Sequence, residues 1–374
     1  MADFLYIHIP FCIRKCLYCD FTSIPYDASL VDRYGTALCR ELALKRHLAG
    51  ELKALYIGGG TPSLMPDAFF GQLFSCLRKD FSFSPSAEVT VEANPGTIER
   101  TKVERLAALG VNRFSVGVQS FDDRELKTLG RIHTSGEAER SLAMVKEAGI
   151  RNISLDLMYG IPGQTMETWM STLRKATDSS PCHISSYELT PEAETPLTRL
   201  LAQKTLTLPD EELVLEMYDA AISHFSSLGY AHYEISNFAL PGFECRHNMN
   251  YWDRGEYIGA GAGAHSFIEG VRSDNTKQVD LYVMRIVEGL SAAGESLAVT
   301  PSEEIREYIF LGLRKIDGLS MAHLTGSGID IAKEAGDLID QGYLEIKGDS
   351  LRLTRKGIVL SNTIIVRLFE KLHL

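Results

Sequence analysis

At 374 residues the chain exceeds the size at which one hydrophobic core usually stops growing, so a large domain with a smaller appended one is expected. Hydrophobic residues make up 45% and charged residues 23%, and no window approaches the roughly 18 apolar residues of a membrane span, which excludes a spanning helix. The formal charge of -11 argues against a nucleic-acid partner, because phosphate binding draws its affinity from clustered Lys and Arg.

The first residues, MADFLYIHIP, lack a basic region followed by an apolar core and a small-residue cleavage site, so a cytoplasmic protein is expected. Short β-branched runs then alternate with helical patterns. The strand candidates are residues 4–9, 52–58, 88–93, 113–119, 153–160 and 183–189, and the helical stretches include 28–48 and 135–149, the latter closing at Gly149 as a helix C-cap would. Six strand–helix units in series, with strands apolar enough to be covered on both faces, predict a parallel sheet with right-handed crossovers. The unusual polar groups fall at its carboxyl ends. A cysteine loop follows the first strand, GGGTPS (58–63) the second, Glu92 and Gln119 end the third and fourth, Asp156 lies in the fifth and YELT (187–190) closes the sixth. In parallel barrels and open α/β sheets the working site lies at those ends, so these groups are expected to share one cavity.

Past residue 230 the pattern changes. Residues 231–239 read as one strand, and the irregular, Gly-rich 240–267 is too long for a mere connector. From Pro301 a helix capped by Ser302, a short second helix, a third over IDIAKEAGDLIDQGY, a hairpin turning at Gly348-Asp349 and a last helix resemble a winged helix. With ten Lys and Arg against eleven Asp and Glu, this module is expected to dock or pack and not to read DNA. The expected division is a core over 1–230, a connecting segment over 231–300 and an end module over 301–374.

Of seven cysteines, Cys39, Cys76, Cys182 and Cys245 are scattered singly and read as small buried hydrophobes, while Cys12, Cys16 and Cys19 cluster. Three thiolates at spacings of four and three can hold three corners of a 4Fe-4S cube, leaving one iron open as a binding site. Zinc is the rival; a structural site needs four N or S ligands, the fourth being His8.

CxxxCxxC after the first strand, with Tyr18 just before the last cysteine, resembles the radical S-adenosylmethionine superfamily signature. The remaining motifs resemble its coproporphyrinogen dehydrogenase branch, which includes the heme chaperones called HemW, and the likeness covers nearly the whole chain. It implies an α/β fold, a partial (β/α)6 TIM-like barrel with a C-terminal winged-helix-like α+β domain. It also implies a 4Fe-4S cluster on Cys12, Cys16 and Cys19 whose open iron chelates S-adenosylmethionine, and electron transfer that cleaves the sulfonium to a 5′-deoxyadenosyl radical. Gly59, Gly60 and Thr61 then meet the methionine end, Glu92 holds the ribose or amino group, and Tyr6 and Tyr18 flank the cluster. Gln119, Arg131 and Asp156 match positions around a second S-adenosylmethionine in the dehydrogenases, and His265 lines the same cavity.

Two departures count against a porphyrinogen oxidase: Phe21 stands where those enzymes place a further cysteine, and only five residues precede Tyr6. RHNMNYW (246–252) resembles the HNxxYW motif of the chaperones, which implies heme with His247 as axial ligand, Tyr251 and Trp252 against the macrocycle and Arg246 or Arg254 on the propionates; Cys245 is an alternative ligand. The bland alternative is that His247 and Asn248 cap local backbone and the two aromatics fill a domain join. The resemblance therefore implies a heme carrier that delivers to acceptor hemoproteins such as respiratory-chain components and takes electrons from a donor. An oxygen-independent coproporphyrinogen III oxidase is the runner-up, and a zinc-stapled scaffold is remote.

Overall fold

The computed structural model describes all of residues 1–374. Strands β1 (Ala2–Ile9), β2 (Ala49–Gly59), β3 (Ser82–Ala93), β4 (Arg113–Gln119), β5 (Asn152–Tyr159) and β6 (His183–Glu188) pair in parallel, each crossing to the next through helical structure. The outer face of β1, Leu5, Ile7 and Ile9, is fully buried, as are Leu155 and Leu157 of β5 and Ile184 of β6, all within one continuous core. Helices start where the sequence places caps: Thr134 and Glu137 form a capping box at Ser135–Glu147, and Gly149, at φ 86°, takes the left-handed position just past its end.

The inner face differs from the expectation of strands apolar on both sides. Along β4, β5 and β6 the inward positions are Ser115 and Gly117, Ser154 and Asp156, His183 and Ser185, and they lie in register: Ser115 beside Ser154, Ser154 beside His183, Asp156 between Gly117 and Ser185. Their period of two, against apolar outward neighbours, makes this a polar-lined half barrel.

Residues 231–239 do not form one strand. They fold back as β7 (Ala231–Glu234) and β8 (Asn237–Ala239), because the Asn237 amide bonds the buried Glu234 carboxylate across the turn. β8 runs antiparallel to β6. The irregular stretch after it holds a helix, Arg246–Trp252, and strand β9 (Ile258–Ala260), which adds in parallel to the far edge at β1, completing the nine-stranded order β9-β1-β2-β3-β4-β5-β6-β8-β7. A three-stranded antiparallel sheet follows from β10 (His265–Ile268), β11 (Val271–Asn275) and β12 (Ala293–Ala298). The end module starts with helix Pro301–Gly312, capped by Thr300 and not Ser302, since Thr300 makes the reciprocal bonds with Glu303. Its third helix is broken, Ile331–Glu334 and Gly336–Asp340, and the hairpin turns at Gly348-Asp349.

Candidate cofactor site at the strand ends

A cavity of about 510 Å³ opens at the carboxyl ends of the strands. Cys12, Cys16, Cys19, Tyr18, Gly59, Gly60, Thr61, Glu92, Gln119, Arg131 and Asp156 all line it, so eleven residues singled out from scattered positions meet there. The cysteine loop is held from several sides. The Thr61 hydroxyl donates to Cys12 Sγ at 3.6 Å, Arg131 reaches Cys16 Sγ at 3.5 Å, and the Arg14 guanidinium donates to the Gly130 carbonyl at 2.8 Å. Burial raises the Cys12 thiol and pushes Cys19 up to about 11, so metal loading there displaces protons. No three ligating side chains converge closely enough for one ion. His8, the candidate fourth zinc ligand, is committed elsewhere, to Thr22 O at 2.8 Å and the Tyr6 hydroxyl at 3.0 Å. The donor set suits a cube, whose irons sit at separate corners and whose thiolate ligands therefore stand apart.

Glycine is required in the motif after β2. Gly59 sits at φ 116°, and a Cβ at Gly60 would lie 2.7 Å from Phe11 O and 3.0 Å from Cys12 Sγ. The backbone here runs against the cysteine loop with no room for a side chain. Glu92 accepts from Gly59 N–H and from the Tyr56 hydroxyl, both at 2.9 Å. Burial, reinforced by nearby Asp156, nevertheless raises its carboxyl to about 7. Burial also raises Asp156, against hydrogen bonds from Ser185 and Ser115. Gln119 ends β4 at φ 67°, a left-handed conformation costly for a residue with a side chain, at a register shift in the β4–β5 ladder. Its buried side-chain amide makes no hydrogen bond within the chain and faces the cavity.

Three expected site residues lie elsewhere. Tyr6 and His265 line a second cavity beside β1, and neither lines the cysteine cavity. His247 lines neither. It is 2% exposed, its Nε2 is paired with the Tyr251 hydroxyl at 2.8 Å, and its ring stacks on Tyr56 with centroids 5.4 Å apart. In that pose its Nε2 is not free for an axial bond; burial alone drives its pKa down to about 3, keeping it neutral. Sequence reasoning missed Tyr56, which holds Glu92, together with Ser115, Ser185 and Arg113 on the cavity wall. Their signal was the period-two polar alternation on the strands.

Comparisons with known proteins agree with this geometry. Residues 6–176 match the model of the radical SAM superfamily, and residues 299–360 match that of the HemN C-terminal domain. The chain is 37% identical to the heme chaperone HemW of Bacillus subtilis, covering 96% of this chain and 97% of that protein. It is 34% identical to that of Escherichia coli, covering 96% of each. The chain belongs to the HemW family. Among solved structures, coproporphyrinogen III oxidase from Escherichia coli superposes with a TM-score of 0.85 at 25% identity, covering 98% of this chain and 90% of that one. Membership of the radical SAM superfamily implies a 4Fe-4S cluster and S-adenosylmethionine, and the three thiols, the glycine cradle and the unpartnered Gln119 amide fit both. When bound, the cluster would supply an electron to the sulfonium of S-adenosylmethionine. In this HemW-family chain Cys12, Cys16 and Cys19 would hold the iron, while Gly59, Gly60 and Glu92 would orient the methionine and ribose portions. No helix is long and apolar enough to cross a membrane.

Proposed function

We propose that this protein is a cytoplasmic heme chaperone. It holds a 4Fe-4S cluster and S-adenosylmethionine in the polar cavity, receives electrons from a separate donor, and hands heme to acceptor hemoproteins such as respiratory-chain components. The observation that carries the reading is near-full-length identity to several HemW chaperones, joined to a cavity that gathers all three cysteines. The barrel core to residue 230 serves the cluster, residues 231–300 complete the sheet, and the end module docks partners.

The second reading, an oxygen-independent coproporphyrinogen III oxidase, is favoured by the fold match. Against it stands Phe21. It occupies the position of the oxidases' further cysteine and is 64% exposed at the cavity mouth. A reconstituted, heme-loaded sample mixed with an apo-hemoprotein tests the choice. Transfer of the Soret absorption to the acceptor, with no protoporphyrinogen IX from added coproporphyrinogen III under reducing conditions, supports the chaperone; turnover without transfer overturns it.

A further inference from the structure

The second cavity, about 740 Å³, lies between the face of β1 that carries Tyr6 and His8, helix Arg246–Trp252, the β10–β11 hairpin and helix Pro301–Gly312. That volume falls within the roughly 300–1,000 Å³ of small-molecule sites. Tyr251, Trp252, Phe267 and Phe310 give it aromatic walls suited to a large flat ligand. Its cations are not equally available. Arg254 bonds Glu304 and Glu307 and lies over the Phe267 ring, and Arg272 bonds Glu307 over the same ring. Lys277 makes no ion pair or hydrogen bond and is free to meet a carboxylate.

Two histidine rings line this cavity, and a third lies behind its wall. Both His8 nitrogens are taken, by Thr22 O and Tyr6. His247 is enclosed behind Tyr251, which holds its Nε2. His265, the first residue of β10, is exposed, lines the cavity and makes no side-chain hydrogen bond. An axial ligand to iron must offer a free imidazole nitrogen on an open face, and only His265 does so here. Asp20 and Phe21 line both cavities, so the loop that carries the cluster cysteines also forms a wall of this one.

We propose that heme binds in this second cavity with its iron on His265, its ring against Trp252 and Phe310, and a propionate toward Lys277; His247 acts only as a positioning residue that fixes Tyr251. The proposal rests on the heme-chaperone reading. It is tested by titrating hemin into the full-length, heme-free protein and its His265→Gly and His247→Gln variants, following the Soret band, with added imidazole as rescue. In His265→Gly the affinity falls by about tenfold or more, the scale of one lost anchoring interaction. The Soret maximum shifts, and imidazole restores it. His247→Gln keeps the wild-type maximum. Equal urea midpoints for wild type and His265→Gly show that the fold is intact, as expected for an exposed side chain free of hydrogen bonds. If His265→Gly keeps the wild-type band and affinity, whether or not His247→Gln loses them, the site is wrong while the chaperone reading stands. If the wild-type protein binds no hemin, both fall.

Discussion

Glu92 is the residue whose ionisation most directly reports the polar cavity. Burial raises its carboxyl to about 7, above the ordinary 4.5, so the folded protein keeps a proton that the unfolded chain has already lost between those values. Stability therefore falls as pH rises from 4.5 to 7 and is flat above, by an amount on the order of 3 kcal/mol at 1.36 kcal/mol per pKa unit. Urea unfolding of the cofactor-free protein at pH 5 and pH 8 should show wild type losing more stability over that interval than Glu92→Gln, whose amide oxygen can still accept from Gly59 N–H while its NH2 group takes the place of the oxygen facing the Tyr56 hydroxyl. Equal losses would mean that the carboxylate is not desolvated. His247 shows the limit of reading a residue from its motif. The residue types of RHNMNYW were visible in the sequence, but helix Arg246–Trp252 turns the imidazole inward onto Tyr56, a direction set by tertiary packing. The three cysteines were legible because a short loop constrains its own side chains.

At the scale of elements, the half barrel depends on holding its edge strand β9. Glu41, on helix Ala28–Lys45 and almost wholly buried, accepts from Gly261 N–H at 2.8 Å, Asn275 Nδ2 at 2.7 Å and the Tyr282 hydroxyl at 2.7 Å, and pairs with Lys45. It thus ties β9, β11 and helix Val279–Val287 to the first crossover helix. Removing one partner of a buried charged network leaves the others unpaired, so Glu41→Ala should cost about 3–5 kcal/mol in chemical denaturation. Amide exchange should quicken at residues 258–298 before the other strands, and uniform loss of protection would refute the clasp. The turn after β2 offers a second test. A methyl at Gly60 meets the Phe11 carbonyl and Cys12 Sγ, so Gly60→Ala should lower cluster occupancy and S-adenosylmethionine affinity by about tenfold while the helical circular dichroism is retained. Unchanged loading would show that the loop yields freely. Six strands and their main helices were legible because hydrophobic periodicity is local. The β7–β8 reversal was not, since it turns on one amide–carboxylate contact, and neither was β9, three residues long with no pattern of its own.

For the whole molecule, the sequence order of the strands and the places of their polar ends were enough to foresee one shared cavity, and eleven of the expected residues meet there. What it hid was the second cavity, because that space arises where residues 251–277 meet helix Pro301–Gly312, parts distant along the chain. The end module is tied to the rest by Arg254 with Glu304 and Glu307, Lys315 with Asp253, Arg355 with Asp219 and Arg314 over the Trp252 ring. Charge reversal Glu307→Lys should therefore loosen the wall of the second cavity and weaken hemin binding by about tenfold, without altering cluster absorption. A parallel loss of the cluster would indicate a global effect instead. The most direct measurement of the central claim is electron paramagnetic resonance of anaerobically reconstituted, dithionite-reduced protein with and without S-adenosylmethionine. The predicted result is about four irons per chain, a reduced 4Fe-4S signal that changes on adding S-adenosylmethionine, and its loss in Cys16→Ser. A chain that takes up no cluster, or a signal indifferent to S-adenosylmethionine, would contradict it.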